Sequence, residues 1–338
     1  MSSFRQLQGI VQHFPQKTVL VLGDLIADEY IYGKPDRVSR EAPVLILRYQ
    51  GREVRLGGAA NASHNVHALG ARVLPVGVVG SDPAGEEVLG LFQSLGMPTD
   101  AIVKTTERPT PVKTRVMAGA SQSTRQQIVR VDREPRTPLD SATEAELGRR
   151  LMAWGPQADA ILLSDYGYGT VTPGLLSQAR VLGSRNGALL SADSRYDLLR
   201  FTGVTAATPN EPELEHLTEM DLDEEPSVEK AGRLLLERLD CRYLLITRGS
   251  KGMVLFEREG PITCLPIHGG DEIADVTGAG DTVISTFTVA LASGGRPTEA
   301  AWLANVAGGV VVTKRGTAHV AQTELLSALA QDGIPGEP

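Results

Sequence analysis

Three observations predict an α/β fold with a mostly parallel central sheet, helices on both faces and a small β-sheet set against it. Short apolar runs alternate with helical patterns along most of the 338 residues. The first polar side chain after successive runs is Asp24, Asp165, Asp193, Asn210 and Arg248, and parallel strands deliver such residues to one edge of the sheet. Two segments, 29–56 and 108–135, break the rhythm with alternation at period two, the signature of half-exposed strands.

In chain order, TVLVLGD reads as the first strand and ends on Asp24. The first irregular segment follows, then a helical pattern from Gly57 to Leu69, the strand RVLPVGVVG and the helix AGEEVLGLFQSLG. The second irregular segment contains PVKTRVM and QQIVRVD, with a flexible tip at GASQST. Strand endings return in DAILLSDYG, ALLSADS, VTAATPN and YLLITRG, and the helix-like run ISTFTVALASGG comes late in the chain. One domain over 1–338 is expected, its two irregular segments forming a lid over a ligand crevice at the shared strand edge. The acidic patch MDLDEEPS (220–227) reads as a solvated connection and the tail QDGIPGEP as frayed.

Composition bounds the function. With 41% hydrophobic and 22% charged residues the chain can build an ordinary core. A formal charge of −8 without a Lys/Arg cluster argues against nucleic-acid or anionic-membrane surfaces, so a small-molecule partner is expected. Cys241 and Cys264 have no metal-ligand spacing and read as two free core thiols. The N-terminus lacks an apolar signal core and no window approaches the roughly 18–20 apolar residues of a membrane helix, so a cytoplasmic protein is expected.

The chemistry concentrates in DVTGAGDT, residues 275–282. Gly278, Ala279 and Gly280 leave the backbone bare where a helix begins, and free N–H groups at a helix N-terminus suit an anion. Asp281 falls in the first turn, where a carboxylate could take a proton from a hydroxyl attacking phosphorus. Lone glycine patterns also cap helices and match by chance. Asp24 could simply end a strand, Asn61 could sit neutrally on a helix, and Asn210 could merely open one. His64 and His67 share a helix face, but no third ligand follows at useful spacing.

All eight residues of DVTGAGDT together resemble the second signature of the ribokinase-like (PfkB) carbohydrate kinases, and LGGAANAS (56–63) resembles their first. The resemblance runs from GDLIADEY through TPNEPE and TRGSKGM to VVVTKRGTA. It implies a ribokinase-like three-layer αβα fold with a small β-sheet lid, and transfer of the γ-phosphoryl group of ATP to a sugar hydroxyl. It implies Asp281 as catalytic base, Gly278, Ala279 and Gly280 as the anion hole, and Asp24, Gly57, Gly58 and Asn61 at the sugar. Asn210 and Glu213 would stand near Mg²⁺ and the nucleotide phosphates, with Glu213 reaching the magnesium through water. Thr247, Gly249 and Gly252 would border the nucleotide, with Asn305 near the adenine. Asp275 and Thr277 would hold a monovalent cation, K⁺, helped by carbonyls near Gly316.

Within that family GDLIADEYIYGKPDRVSREAPVLIL, SDYG and QQIVRVDRE resemble the heptose 7-phosphate kinases of ADP-heptose and lipopolysaccharide precursor synthesis. The implied acceptor is the anomeric hydroxyl of D-glycero-β-D-manno-heptose 7-phosphate. Two departures bear on the sugar's phosphate: Tyr168 stands where many of those kinases have lysine, and Ser194-Arg195 follow Asp193 where proline and lysine are usual. Cations are available in Arg37, Arg40, Lys113, Arg115 and Arg130, and Arg130 and Arg195 are the favoured phosphate ligands. Bifunctional relatives add a nucleotidyltransferase domain with an HxGH motif, which this sequence lacks, so adenylyl transfer is expected from another protein. A kinase for another sugar, sugar phosphate or nucleoside is the alternative, and a catalytically silent sugar-binding regulator is the alternative of a different class. A homodimer through exposed lid strands is a further expectation. Neither a dinucleotide-binding GxGxxG after the first strand nor a P-loop spacing is present.

Overall fold

The computed structural model describes residues 4–119, 125–222, 225–269 and 274–331. The GASQST tip beyond Gly119, Asp223 and Glu224 of the acidic patch, and the tail from residue 332 lie outside them. The first half of the chain runs α1 (Phe4–Gln12), β1 (Thr18–Gly23), β2 (Leu25–Val38), β3 (Leu45–Gly58), α2 (Ala59–Ala68), β4 (Arg72–Gly80), α3 (Pro83–Ser94), β5 (Ile102–Thr105), β6 (Val112–Ala118) and β7 (Gln126–Arg133). Next come α4 (Ser141–Trp154), β8 (Ala160–Asp165), α5 (Pro173–Asn186), β9 (Leu189–Ser194), β10 (Ala206–Ala207), α6 (Glu211–Thr218) and α7 (Glu225–Leu239). The chain ends with β11 (Tyr243–Thr247), β12 (Met253–Glu257), β13 (Ile262–Leu265), α8 (Ala279–Ala292), α9 (Pro297–Val312) and α10 (Gln322–Gln331).

Nine strands form the main sheet in the order β13-β12-β11-β10-β9-β8-β1-β4-β5. All its pairings are parallel except β11–β12 and β12–β13. At its centre β1 is buried along its whole length, which explains its unbroken apolar run: both faces are covered. Its side chains divide by parity. Val19 and Val21 join a core with Phe287 of α8 and Ala304 of α9, whereas Leu20 and Leu22 join one with Leu147 of α4, Leu175 of α5 and Leu235 of α7. Fully burying each large side chain contributes roughly 1.5–3 kcal/mol.

The second sheet has the order β3-β2-β6-β7, with β2–β6 parallel and the other two pairs antiparallel. Both irregular sequence segments therefore pair into one small sheet, and β2 and β3 extend a few residues beyond the expected limits. Of the two cysteines Cys241 is buried, but Cys264 is exposed on β13, correcting the reading of two core thiols. Among the described residues no helix is long and apolar enough to cross a membrane.

Helix starts separate scaffold from site. Asp82, Asp140, Thr172 and Asn210 cap α3, α4, α5 and α6, each accepting backbone N–H groups of the first turn. By contrast α2 and α8 begin at Gly58 (φ 58°) and Gly278 (φ 81°) without a side-chain cap. The first N–H of each bonds a backbone carbonyl, Ala59 to Asp24 O at 3.0 Å and Ala279 to Val276 O at 3.2 Å, and no side chain caps the amides that follow.

Candidate active site

At α8 the first backbone hydrogen bond of helical span is Thr282 N–H to Gly278 O at 3.1 Å. Gly280 and Asp281 precede it as the second and third residues of the helix, so their amides have no helical acceptor. Ala279 N–H is turned to Val276 O at 3.2 Å and contributes less to such a cradle. The positive φ of Gly278 requires glycine, and a Cβ there would lie 2.7 Å from Asn61 Nδ2. Gly278 and Gly280 line a cavity of about 550 Å³ at the edge of the main sheet, beneath the small sheet.

Asp281 also lines that cavity and is only 3% exposed. Its Oδ2 accepts a hydrogen bond from Asn61 Nδ2 at 2.7 Å, and its Oδ1 accepts one from the Tyr166 hydroxyl at 3.0 Å. Burial pushes its carboxyl up from the ordinary 3.8 to about 6, while the Asn61 and Tyr166 donors oppose that rise. An aspartate poised close to neutrality suits a general base.

Other expected residues divide into those on the cavity wall and those behind it. Gly58, Arg130, Arg195, Asn210, Glu213, Thr247 and Thr277 line the cavity. Gly57 adjoins it, since a Cβ on Gly57 would touch the Asp28 carboxylate at 2.7 Å. Asn210 and Glu213 form a capping box: Asn210 Oδ1 accepts from Glu213 N–H at 2.8 Å, and Glu213 Oε2 accepts from Asn210 N–H at 2.9 Å. The helix-entrance reading and the cavity reading thus both hold for this pair. Asp275 Oδ1 accepts from the backbone and hydroxyl of Thr277, at 2.9 and 2.7 Å, and Oδ2 accepts from Gly316 N–H at 2.9 Å. Burial pushes the Asp275 carboxyl up, but these donors outweigh it and hold it below its ordinary value.

Four expectations need correction. Asp24 is absent from the cavity wall: its carboxylate accepts the backbone N–H groups of Tyr166, Tyr168 and Thr170 at 2.8, 3.1 and 3.1 Å, so it fixes the loop after β8. Asn305 donates to Pro266 O at 2.7 Å and ties α9 to the chain leaving β13. Gly252 (φ 83°) packs where a Cβ would lie 2.1 Å from Leu265 O, so backbone packing explains that glycine. Gly249 (φ 56°) shapes the same turn and is likewise off the cavity wall.

Further residues complete the cavity wall. Asp28 lines the cavity, pairs with Arg115 at 2.6 Å and accepts from the Thr317 hydroxyl at 2.7 Å. It lies four residues after Asp24 in GDLIAD, and of those two acids it is Asp28 that reaches the cavity. Asp193 is half-buried on the wall, and desolvation with the charges of Glu213 and Asp281 pushes its carboxyl well up. Burial also pushes Asp165 up, and the Ser194 hydroxyl donates to it at 2.8 Å. Lys113 approaches the ring centroids of Tyr166 and Tyr168 to 4.6 and 5.8 Å. The Tyr168 hydroxyl donates to Glu134 at 2.9 Å, joining the loop after β8 to the end of β7.

A model of the pfkB family of carbohydrate kinases matches residues 16–324. Among curated proteins, bifunctional protein HldE of Pelobacter propionicus is 39% identical over 328 residues, covering 96% of this chain and 66% of that protein. The protein of the same name from Geobacter metallireducens is 38% identical over 326 residues, covering 96% and 65%. The chain thus spans about two thirds of the length of these relatives. Among solved structures, Arabidopsis thaliana ribokinase complexed with ribose and ATP superimposes with a TM-score of 0.70 at 20% identity, covering 93% of this chain and 98% of that one. Escherichia coli phosphofructokinase-2 in complex with potassium gives 0.76 at 17% identity with the same coverage, and both similarities concern the fold.

Proposed function

This chain belongs to the pfkB family of carbohydrate kinases, and from that premise we propose that it transfers the γ-phosphoryl group of ATP to the anomeric hydroxyl of D-glycero-β-D-manno-heptose 7-phosphate. The observation that carries the kinase reading is Asp281: a buried, hydrogen-bonded carboxylate in the same first helical turn as the amides with no helical acceptor, at a polar cavity. Asp281 takes the proton of the acceptor hydroxyl as its oxygen attacks the γ-phosphorus, and the Gly280 and Asp281 amides meet the charge on the transferred group. Asp28 and Gly58 bound the sugar end of the cavity, where a carboxylate suits a polyol, with Gly57 adjoining it and Asn61 buried behind Asp281. Thr247 bounds the nucleotide end, with Gly249, Gly252 and Asn305 shaping the wall behind it.

Asp165, Asp193 and Glu213 line the cavity with their carboxyls held up by burial, but among the described residues no three such groups converge as a direct ligand set, so a hard divalent cation would be met there through water. Mg²⁺ when bound offsets the charge of the nucleotide phosphates, with Glu213 as its proposed contact through water. Asp275, held ionised beside Thr277 and Gly316, fits a K⁺ neighbour that would steady the loop before α8. The small sheet is proposed as the lid that excludes water from the transfer.

The phosphorylated acceptor is supported by the wall's cations. Arg130 and Arg195 both face the cavity, joined by Lys113, in a protein whose net charge is −8. An arginine at 195 restores the charge that lysine carries in many relatives. At 168 the tyrosine instead bonds Glu134, leaving phosphate recognition to Arg195 and to Arg130 and Lys113 of the small sheet. Asp281→Asn tests the assignment of the base: kcat falls by several orders of magnitude in a coupled ADP-release assay while sugar affinity changes little. Near-normal turnover by that variant would remove Asp281 from the mechanism.

A further inference from the structure

The phenol of Tyr166 has no part in the chemistry above, yet it touches the base. Tyr166 lies in the loop between β8 and α5, which the Asp24 carboxylate anchors through three backbone N–H groups. Its hydroxyl donates to one oxygen of Asp281 and Asn61 donates to the other, so two elements hold one carboxylate. Above the ring stands the ammonium of Lys113, on β6 of the small sheet, 4.6 Å from the centroid.

We propose that Tyr166 is a positioning residue that sets the rotation of the Asp281 carboxylate, and that Lys113, seated on its ring, couples the small sheet to the base. The proposal rests on the assignment of Asp281 as base. The terminal torsion of an aspartate is broad, so a single donor at Oδ2 would leave its plane free to turn. A second donor at Oδ1 fixes that plane, and each oxygen still has a lone pair for the acceptor hydroxyl. Around Asp281 the charged and titratable neighbours are Asp28 from β2, Lys113 from β6, Tyr166 itself and Asp193 at the end of β9. Donation from Tyr166 favours the ionised carboxylate, so removing the hydroxyl raises the pH at which the base becomes active.

Tyr166→Phe keeps the ring and removes only the donor. In the full chain, with whichever sugar the wild type phosphorylates, kcat is expected to fall about tenfold, the size of one hydrogen bond to a charged group. KM for the sugar should change little, and the acid limb of the kcat profile should move to higher pH. Lys113→Met should lower kcat in the wild-type background, and by a smaller factor once residue 166 is phenylalanine, the remainder reflecting its place on the cavity wall. Unchanged kcat and an unmoved acid limb in Tyr166→Phe would reduce Tyr166 to packing, and additive effects of the two substitutions would remove Lys113 from the proposal. Should no sugar be turned over, the ¹³C titration of the Asp281 carboxyl, identified by its loss in Asp281→Asn, still decides. A midpoint that stays put in Tyr166→Phe overturns the proposal independently of the substrate.

Discussion

At Asp281 burial and hydrogen bonding pull the charge state in opposite directions, and burial wins. Because the folded-state value is raised from 3.8 to about 6, the folded protein binds more protons than the unfolded chain between those values. Stability therefore falls as pH rises through that window and then levels off; the penalty of an ionised base is on the order of 3 kcal/mol at neutral pH. Asp281→Asn keeps a partner for both Asn61 and Tyr166 while removing the charge. It should therefore melt higher than the wild type near pH 7.5 and converge on it near pH 4. Calorimetry showing no difference at pH 7.5 would contradict this. DVTGAGDT pointed to this residue through its place in the first turn after the glycines and through the family resemblance of all eight residues. Asp24 and Asp28 show the limit of such reading: both are acids in the same motif, and only the third dimension shows that one carboxylate is consumed by backbone amides while the other faces the cavity.

Among the elements, β2 does most to join sheet to sheet. It leaves β1 after a single residue, pairs with β3 and β6, and carries Asp28 to the cavity. The Arg115–Asp28 pair, 2.6 Å long and almost fully buried, fixes β6 to β2 beneath the Thr317 hydroxyl. Replacing Arg115 with Met would leave Asp28 as a buried charge without its partner and should cost about 3–5 kcal/mol, read as a lower denaturation midpoint in urea. A midpoint within experimental error of wild type would show that the pair adds little. Period-two alternation disclosed these strands, but not that β2 and β6 run parallel, because residues far apart in sequence decide that pairing. Capping side chains mark the starts of α3 and α5 at Asp82 and Thr172, and Asn210 serves twice, capping α6 and facing the cavity.

For the whole molecule, the small sheet offers an unusual surface. Leu45 and Tyr49 on β3, and Ile128, Val129 and Val131 on β7, are 44–66% exposed on its two edge strands. Apolar side chains on unpaired edges invite association, so the chain is expected to sediment as a homodimer that Val131→Lys with Ile128→Lys disrupts. A wild-type monomer at micromolar concentration would contradict that expectation. The central claim concerns chemistry, and its most direct test is ATP consumption by the purified chain with Mg²⁺ and K⁺ against a panel of acceptors. The panel comprises heptose 7-phosphate, unphosphorylated heptose, fructose 6-phosphate, fructose, ribose and adenosine. Selective turnover of heptose 7-phosphate is the predicted result. Preference for an unphosphorylated sugar would contradict the assignment and mean that Tyr168 and Arg195 have redirected the cavity to another acceptor.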